Sequence, residues 1–184
     1  KGIKDSNSGG AVLAIGGGNV ADYVRHSQLV GVNNTVTGTE NKVSEFNMVN
    51  GYQNTATNIT HVTMIGSDNE VKDTNGAVLL GDKRKLTGAD GSIVLGSADK
   101  SAETTVKDAT VIGHNANTTV ASGVALGSGS VADRAGFTEE KKGVFSDVDL
   151  NGITAAAVSV GTKDKLRQII NVGDATEDTD AVNL

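Results

Sequence analysis

Short apolar runs that each end on glycine recur along the chain at a nearly constant distance. Two neighbouring examples, "AVLLG" ending at Gly81 and "SIVLG" ending at Gly96, lie 15 residues apart. The glycines that close the runs are Gly16, Gly31, Gly51, Gly66, Gly81, Gly96, Gly113, Gly127 and Gly161. Their successive spacings are 15, 20, 15, 15, 15, 17, 14 and 34 residues. Self-similarity of this kind is the sequence signature of a repeat architecture.

The two positions just before each glycine form two apolar columns. The position directly before the glycine is apolar in nearly every repeat, as at Leu80 and Leu95. The position before that is also apolar, as at Leu79 and Val94. Because neighbouring residues of a strand point to opposite faces, these runs predict strands that are covered on both faces, which is typical of parallel sheets.

A second column, five residues after the glycine, predicts a second short strand in each repeat. Its residues are small or apolar: Ala21, Val36, Ala56, Val71, Leu86, Ser101, Thr118 and Ala132. Two short strands and two turns per roughly 15 residues are too few for a helical repeat or a propeller blade. They predict one coil of a narrow parallel β-roll, in which coils stack about 4.8 Å apart.

Asparagine recurs three residues after the glycine in four repeats, at Asn19, Asn34, Asn54 and Asn69. Asparagine tolerates the left-handed backbone conformation better than most residues. We therefore expect these four residues to adopt that conformation at a tight corner of each coil.

A roll this thin can bury only one apolar column inside itself, so the other column lies on its outer face. An exposed apolar stripe of such length marks an interface. We expect parallel copies of the roll to associate through this stripe. The end coils need protection by a cap or by a different fold.

The C-terminal part of the chain resembles a known family. The segments "VALGSGSVADRA" (124–135) and "AVSVGTKDKLRQIINVGDATEDTDAVNL" (157–184) are similar to the head and neck of YadA-like trimeric autotransporter adhesins. Heads of that family are trimers of left-handed parallel β-rolls built from repeats that resemble S-V-A-I-G. The family's neck motifs V-S-V-G, R-Q-I-x-N-V and D-T-D-A-V-N match residues 158–161, 167–172 and 178–183.

The resemblance implies an all-β fold, a left-handed parallel β-roll of about 15-residue coils. It further implies a homotrimer with a neck that leads into a coiled-coil stalk. Residues 1–135 would form the β-roll head, 136–156 an insertion loop, and 157–184 the neck and the start of the stalk. The implied location is the bacterial cell surface, with an anchor in the outer membrane through a C-terminal domain that this sequence does not contain.

The neck has to narrow three rolls to three helices, so each chain crosses between protomers and charged groups can tie one chain to the next. Arg167 offers a planar fork to a carboxylate, with Asp178 and Asp180 as candidate partners. Gln168 belongs to the same predicted inter-chain contact. The alternative is that these groups are solvated surface residues. Val182 would be an early core position of the stalk.

The net charge of −6, with both signs mixed, argues against binding to nucleic acid, which needs an excess of Lys and Arg on one face. It also disfavours acidic membrane surfaces, and no apolar run approaches the roughly 18 residues of a membrane helix. No signal segment opens the chain, and Lys1 is not an initiator methionine. We expect a piece of a longer protein that makes no membrane contact itself.

Catalytic motifs are missing, so we predict neither an enzyme nor a cofactor. The "IGGGNV" glycines lack the Lys-Ser/Thr of a phosphate-binding loop. His26 and His61 share a repeat position but do not belong to adjacent coils, and His114 lies in a turn. A zinc site across a threefold axis is one alternative, and surface histidines are the interpretation that we favour. A hexapeptide-repeat acyltransferase is disfavoured because its period is about 18 residues.

The segment "DVDLNG" resembles the first half of an EF-hand loop. Asp147, Asp149 and Asn151 occupy ligand positions one, three and five, and Gly152 occupies position six. Position twelve is Val158 instead of the bidentate glutamate. We therefore assign no metal and keep this segment only as a weak calcium candidate.

The 34-residue spacing before Gly161 contains two of the three phenylalanines of the chain. Such a loop needs something to pin it, and aromatic residues often dominate interfaces. The candidate receptor-binding residues are Phe137, Glu139, Glu140, Lys141, Lys142 and Phe145. The predicted function is the head of a bacterial adhesin, which binds a host cell-surface or extracellular-matrix protein or another microbe. The alternative is a structural spacer of a surface fibre with no ligand site of its own.

Overall fold

A computed structural model of the chain describes residues 11–137, 142–143, 152–177 and 180–181. Within these residues the protein is an all-β solenoid of parallel strands. In chain order the strands are β1 (Val12–Gly17), β2 (Val20–Asp22), β3 (Val24–Arg25), β4 (Ser27–Val32), β5 (Thr35–Thr37), β6 (Ser44–Glu45), β7 (Met48–Tyr52), β8 (Thr55–Thr57), β9 (Thr63–Ser67), β10 (Glu70–Lys72), β11 (Val78–Leu80), β12 (Arg84–Thr87), β13 (Ile93–Leu95), β14 (Ala102–Thr104), β15 (Thr110–Ile112), β16 (Asn117–Thr118), β17 (Val124–Leu126), β18 (Val131–Ala132) and β19 (Val158–Ser159).

The glycine-terminated runs form one continuous parallel sheet, here called the long sheet. Its strand order is β1-β4-β7-β9-β11-β13-β15-β17-β19. The pairing aligns Gly16 with Gly31, Gly31 with Gly51, and Gly51 with Gly66. This register confirms that each spacing read from the sequence is one coil of a parallel solenoid. The prediction that all of these strands lie in the same sheet is therefore confirmed.

The predicted second strand of each coil forms a shorter parallel sheet and a separate strand pair. The shorter sheet has the order β14-β12-β10-β8-β5-β2, and β16 pairs with β18. A further short pair, β3 with β6, lies at another corner of the first coils. Each coil thus returns to the long sheet after crossing the shorter one.

The core between the two sheets is built from the inward columns. The residues two positions before the glycine, from Leu29 to Ala125, are fully buried in seven successive coils. They pack against the second column, where Val36, Val71 and Leu86 are equally buried. Burial of these aliphatic side chains removes about 1.5–3 kcal/mol of exposure cost per Val or Leu. The core therefore needs none of the aromatic residues that the chain lacks.

One residue of the second column was predicted wrongly. Ser101 is exposed, and the register pairs Leu86 with the buried Thr104 instead. The extra residues of this 17-residue coil precede its second strand, so counting forward from Gly96 leaves the register.

The asparagines were predicted in the left-handed conformation, and this prediction is wrong. The positive φ angles belong to the preceding residues, such as Asn33 at 57° and Gln53 at 54°. Asn34 and Asn54 are fully buried instead. The corner is made one residue earlier, which turns the asparagine side chain into the solenoid.

The buried amides form a hydrogen-bonded column, here called the asparagine ladder (Asn19, Asn34, Asn54 and Asn69). The Nδ2 of Asn54 donates to Oδ1 of Asn34 at 2.9 Å and to the carbonyl of Gly66, in the next coil, at 2.7 Å. Asn69 bonds Asn54 and Gly81 in the same way, at 3.0 and 2.7 Å. Each amide thus satisfies the backbone of the following coil, as buried polar groups require.

Arg84 continues the ladder where asparagine ends, because Asp99 and Ala116 occupy the next two equivalent positions. Its side chain is buried, and its backbone N–H donates to Oδ1 of Asn69 at 2.9 Å. The guanidinium donates to the carbonyls of Gly96, Ser97, Gly113 and Ala116 at 2.6, 3.3, 2.9 and 2.7 Å. Burial lowers the pKa of this guanidinium. One arginine therefore serves the backbone of two coils.

Two long spacings place their extra residues at the same corner, after the second strand of the coil. In the 20-residue coil the extra residues lie between β5 and β6, where Thr39 and Lys42 exchange backbone hydrogen bonds of 2.9 and 3.1 Å. In the 34-residue spacing they lie between β18 and β19. In both cases the strands on either side stay in register.

Candidate functional site

The outer face of the long sheet is an apolar surface. The residue directly before the glycine points outward, and its exposed fraction in five coils lies between 36% and 53%. We call these five residues the outer column: Ile15, Ile65, Leu80, Ile112 and Leu126. Leu13 and Ile93 lie exposed on the same face. The single chain therefore covers only the inner face of these strands, although the sequence pattern predicts cover on both.

The segment after β19 exposes further large apolar side chains. Leu166 is 85% exposed, and Ile169 and Ile170 are each 71% exposed. Residues 166–170 belong to no strand or helix. Such a run of exposed aliphatic residues is unusual for the surface of a lone chain and marks a contact surface.

Arg167, predicted to join neighbouring chains, contacts the last coils of its own chain. Its guanidinium donates to the carbonyls of Ser128 and Val160 and, at 3.0 Å, to the hydroxyl of Ser130. The guanidinium also packs against Gly127, where a Cβ atom would come within 3.1 Å of it. Arg167 therefore satisfies the end of the solenoid in the way that Arg84 satisfies its middle.

The other predicted neck residues are placed as follows. Gln168 is exposed. The Oδ2 of Asp180 accepts the backbone N–H groups of Thr176 and Glu177 at 3.0 and 3.1 Å, and these bonds lower the pKa of its carboxyl. Asp178 lies outside the described residues. The inter-chain role of all four residues stays a prediction.

The two ends of the insertion lie side by side. The backbone N–H of Phe137 donates to the carbonyl of Ile153 at 2.8 Å, and that of Ala157 to the carbonyl of Arg134 at 2.9 Å. Phe137 is half-buried and Lys142 is exposed. Glu139, Glu140, Lys141 and Phe145 lie outside the described residues. The structure therefore fixes the base of the insertion but brings only these two receptor-binding candidates onto described ground.

The calcium candidates Asp147, Asp149 and Asn151 lie outside the described residues as well. Among the residues that the structure describes, no three His, Cys, Asp or Glu side chains approach closely enough to hold a metal ion. His114 instead pairs with Asp99, with 3.2 Å between Nε2 and Oδ1. The hydrogen bond from Asn115 and the neighbouring His114 lower the pKa of Asp99.

Two of the three histidines form a stack that sequence reasoning missed. Phe46 lies between His26 and His61, with ring centroids 5.1 and 5.0 Å apart and interplanar angles of 7° and 23°. All three residues have positive φ angles, at 46°, 59° and 53°, and lie at the same corner of three successive coils. The signal was present in the sequence, since Phe46 stands five residues before Gly51, as the histidines stand before their glycines.

A shallow groove of about 650 Å³ runs beside this stack. Besides the three rings it is lined by Leu13, Gln28, Met48 and Thr63. Glu45 lies at its rim, with 3.4 Å between its Oε2 and Nη2 of Arg25 and 4.0 Å between that Oε2 and Nδ1 of His26. The groove therefore combines aromatic edges, side-chain hydrogen-bonding groups and titratable imidazoles.

In the described part of the chain no helix is both long enough and apolar enough to cross a membrane. No protein-family model matches the chain, and no curated protein matches it significantly.

Proposed function

We propose that this chain forms the head and the beginning of the neck of a bacterial surface adhesin. Three copies would assemble as left-handed rolls around a common axis, with the neck leading into a coiled-coil stalk. A further C-terminal domain would anchor the assembly in the outer membrane. The ligand would be a host cell-surface protein, an extracellular-matrix protein or the surface of another microbe.

The observation that carries this proposal is the outer column. A row of exposed aliphatic residues that follows the solenoid axis is costly in water unless another surface covers it. A second and third copy of the same face supply such a cover with matching coil spacing. The exposed Leu166, Ile169 and Ile170 support the same assembly, because a neck that passes onto a neighbouring protomer would bury them.

The proposed mechanism is multivalent display. Three copies on one axis present three identical sites to a surface that carries many ligand molecules. Binding of the first site raises the effective concentration for the others, so that weak individual contacts give strong attachment. This mechanism requires no catalysis and no cofactor.

Charge introduced into the outer column is expected to break the assembly. The double variant Leu80→Glu and Ile112→Glu would place two carboxylates on the proposed interface while leaving the inner core untouched. Sedimentation or light scattering at micromolar concentration should give a trimer for the original chain and a monomer for the variant, with unchanged circular dichroism. The control is Lys72→Glu, on the exposed face of the shorter sheet. A stable monomer of the original chain would refute the trimer.

Removal of the insertion is expected to weaken adhesion without affecting the fold. A short linker in place of residues 136–154 is feasible because Phe137 and Ile153 lie side by side at the base. We expect the trimer and its β-rich spectrum to persist while binding to host-surface proteins falls. Adhesion of the shortened chain equal to that of the original would favour the spacer function instead.

A further inference from the structure

The stack of His26, Phe46 and His61 is accessible at its edges and at its end. Phe46 remains 50% exposed although both of its faces are covered by imidazole rings. The next coil places Gly76 at the equivalent position, and nothing lies within 4 Å of where its Cβ would be. The outward face of His61 therefore borders open space. The stack is a surface feature at a corner of the solenoid, beside the outer column rather than on it.

The charge of this corner depends on the two imidazoles. Histidine is the side chain that ordinarily changes its charge between about pH 5 and 8. Among the described residues at the groove, the other charged groups are Arg25 and Glu45, which already pair with each other. Protonation of both histidines would thus change the corner from neutral to doubly positive. Each imidazolium would lie within about 6 Å of the Phe46 ring centre, where a cation is attracted to the aromatic face.

The groove favours a ligand that is held by its side groups. β4 and β7 are paired on both sides within the long sheet, so an extended peptide finds no open backbone edge here. Gln28 and Thr63 offer hydrogen bonds to hydroxyl groups, and Leu13 and Met48 offer apolar contact. Sugar rings carry both kinds of surface. An anionic group on the sugar would complement the protonated imidazoles.

We propose that the His26–Phe46–His61 corner is a binding site for an acidic polysaccharide, and that binding strengthens as the pH falls. The site lies in the first three coils and uses no residue of the insertion. It therefore differs from the receptor site under the proposed function and does not depend on trimer formation.

Heparin serves as the sulfated probe and hyaluronate as the probe that carries carboxylates only. With the full chain, we expect the dissociation constant for heparin to be about tenfold lower at about pH 5.5 than at about pH 7.5. Neutral dextran should bind at neither pH. Binding of hyaluronate with the same pH ratio would mean that carboxylates suffice, and its failure to bind would assign the site to sulfate groups.

The variant His26→Asn with His61→Asn removes both titratable rings, and asparagine tolerates positive φ angles. We expect it to bind heparin equally at both pH values. The matched control is His114→Asn, which removes the histidine outside the stack and should keep the tenfold ratio. The proposal is overturned if heparin fails to bind at the lower pH, or if the double variant keeps the ratio. Tighter binding of polyglutamate than of heparin would also overturn it, in favour of an acidic peptide.

Discussion

Replacement of Gly66 by alanine is expected to destabilise the protein by more than about 4 kcal/mol. The added Cβ would overlap the carbonyl oxygen of Gly81 in the next coil, and the φ angle of +140° is one that side-chain-bearing residues rarely adopt. The neighbouring coil cannot retreat, because its strands are hydrogen-bonded on both sides. The substitution would therefore separate two coils. Urea unfolding followed by circular dichroism measures the effect.

The control for this prediction is Gly76→Ala. Gly76 also has a positive φ angle, +70°, but an added Cβ would meet nothing within 4 Å. Its replacement should cost only the left-handed conformation itself, about 1–2 kcal/mol. Equal unfolding midpoints for the two variants would show that the close approach of the coils is not what requires glycine at position 66.

Arg84→Met is expected to cost at least about 3 kcal/mol of stability. Methionine retains the apolar stem but donates no hydrogen bonds, so the four carbonyls that the guanidinium serves would stay buried without their donors. Each unsatisfied buried group costs about 1–3 kcal/mol. Arg84→Lys should restore only part of the loss, because one ammonium cannot span two coils as the planar guanidinium does. The same urea titration reports both variants.

Lys85→Met is the matched control for Arg84. Lys85 is the next residue, but its side chain lies on the outside, 3.7 Å from Glu70 and 3.8 Å from Glu103. Exposed ion pairs of this kind are worth about 0–1 kcal/mol, so the control should remain near the original stability. An Arg84→Met variant as stable as the Lys85→Met variant would contradict the assigned role.

The coil repeat was predictable because it depends on two strict physical constraints. The glycine column follows from the close approach of successive coils, which excludes a Cβ, as at Gly51 and Gly66. The aliphatic column follows from the narrow interior, which admits Leu79 and Val94 but no larger cluster. Both constraints act at every coil, so they repeat in the sequence and survive the changes in spacing.

The polar interior was not predictable in the same way. An asparagine stabilises a corner either through its own backbone or through its amide, and the sequence does not distinguish these uses; the structure selects the amide for Asn34 and Asn54. A charged residue such as Arg84 is placed at the surface by default, because arginine is rarely fully buried. Its partners are backbone carbonyls, which every residue carries and no sequence pattern marks.

The candidate sites depended on comparison across coils of unequal length. Counting in steps of 15 passes over Phe46, because its coil has 20 residues, and so hides the stack with His26 and His61. For Arg167 the sequence suggests carboxylate partners, while the chain itself supplies carbonyl groups and a hydroxyl. The carboxylates of neighbouring chains remain a separate prediction, tested by assembly.

The corner that absorbs the extra residues of the 20-residue coil gives the scaffold a natural route for gaining length. A DNA insertion between the codons for Thr39 and Lys42 would lengthen a hairpin tip outside the sheets and leave the pairing of Val36 with Ala56 intact. Doubling a flexible loop costs only about 0.6 kcal/mol of closure entropy, far less than a shift of register. In-frame expansion is therefore cheap at this corner and prohibitive at the glycine-closed strands. The same corner is the natural graft position for displaying a foreign peptide on the solenoid.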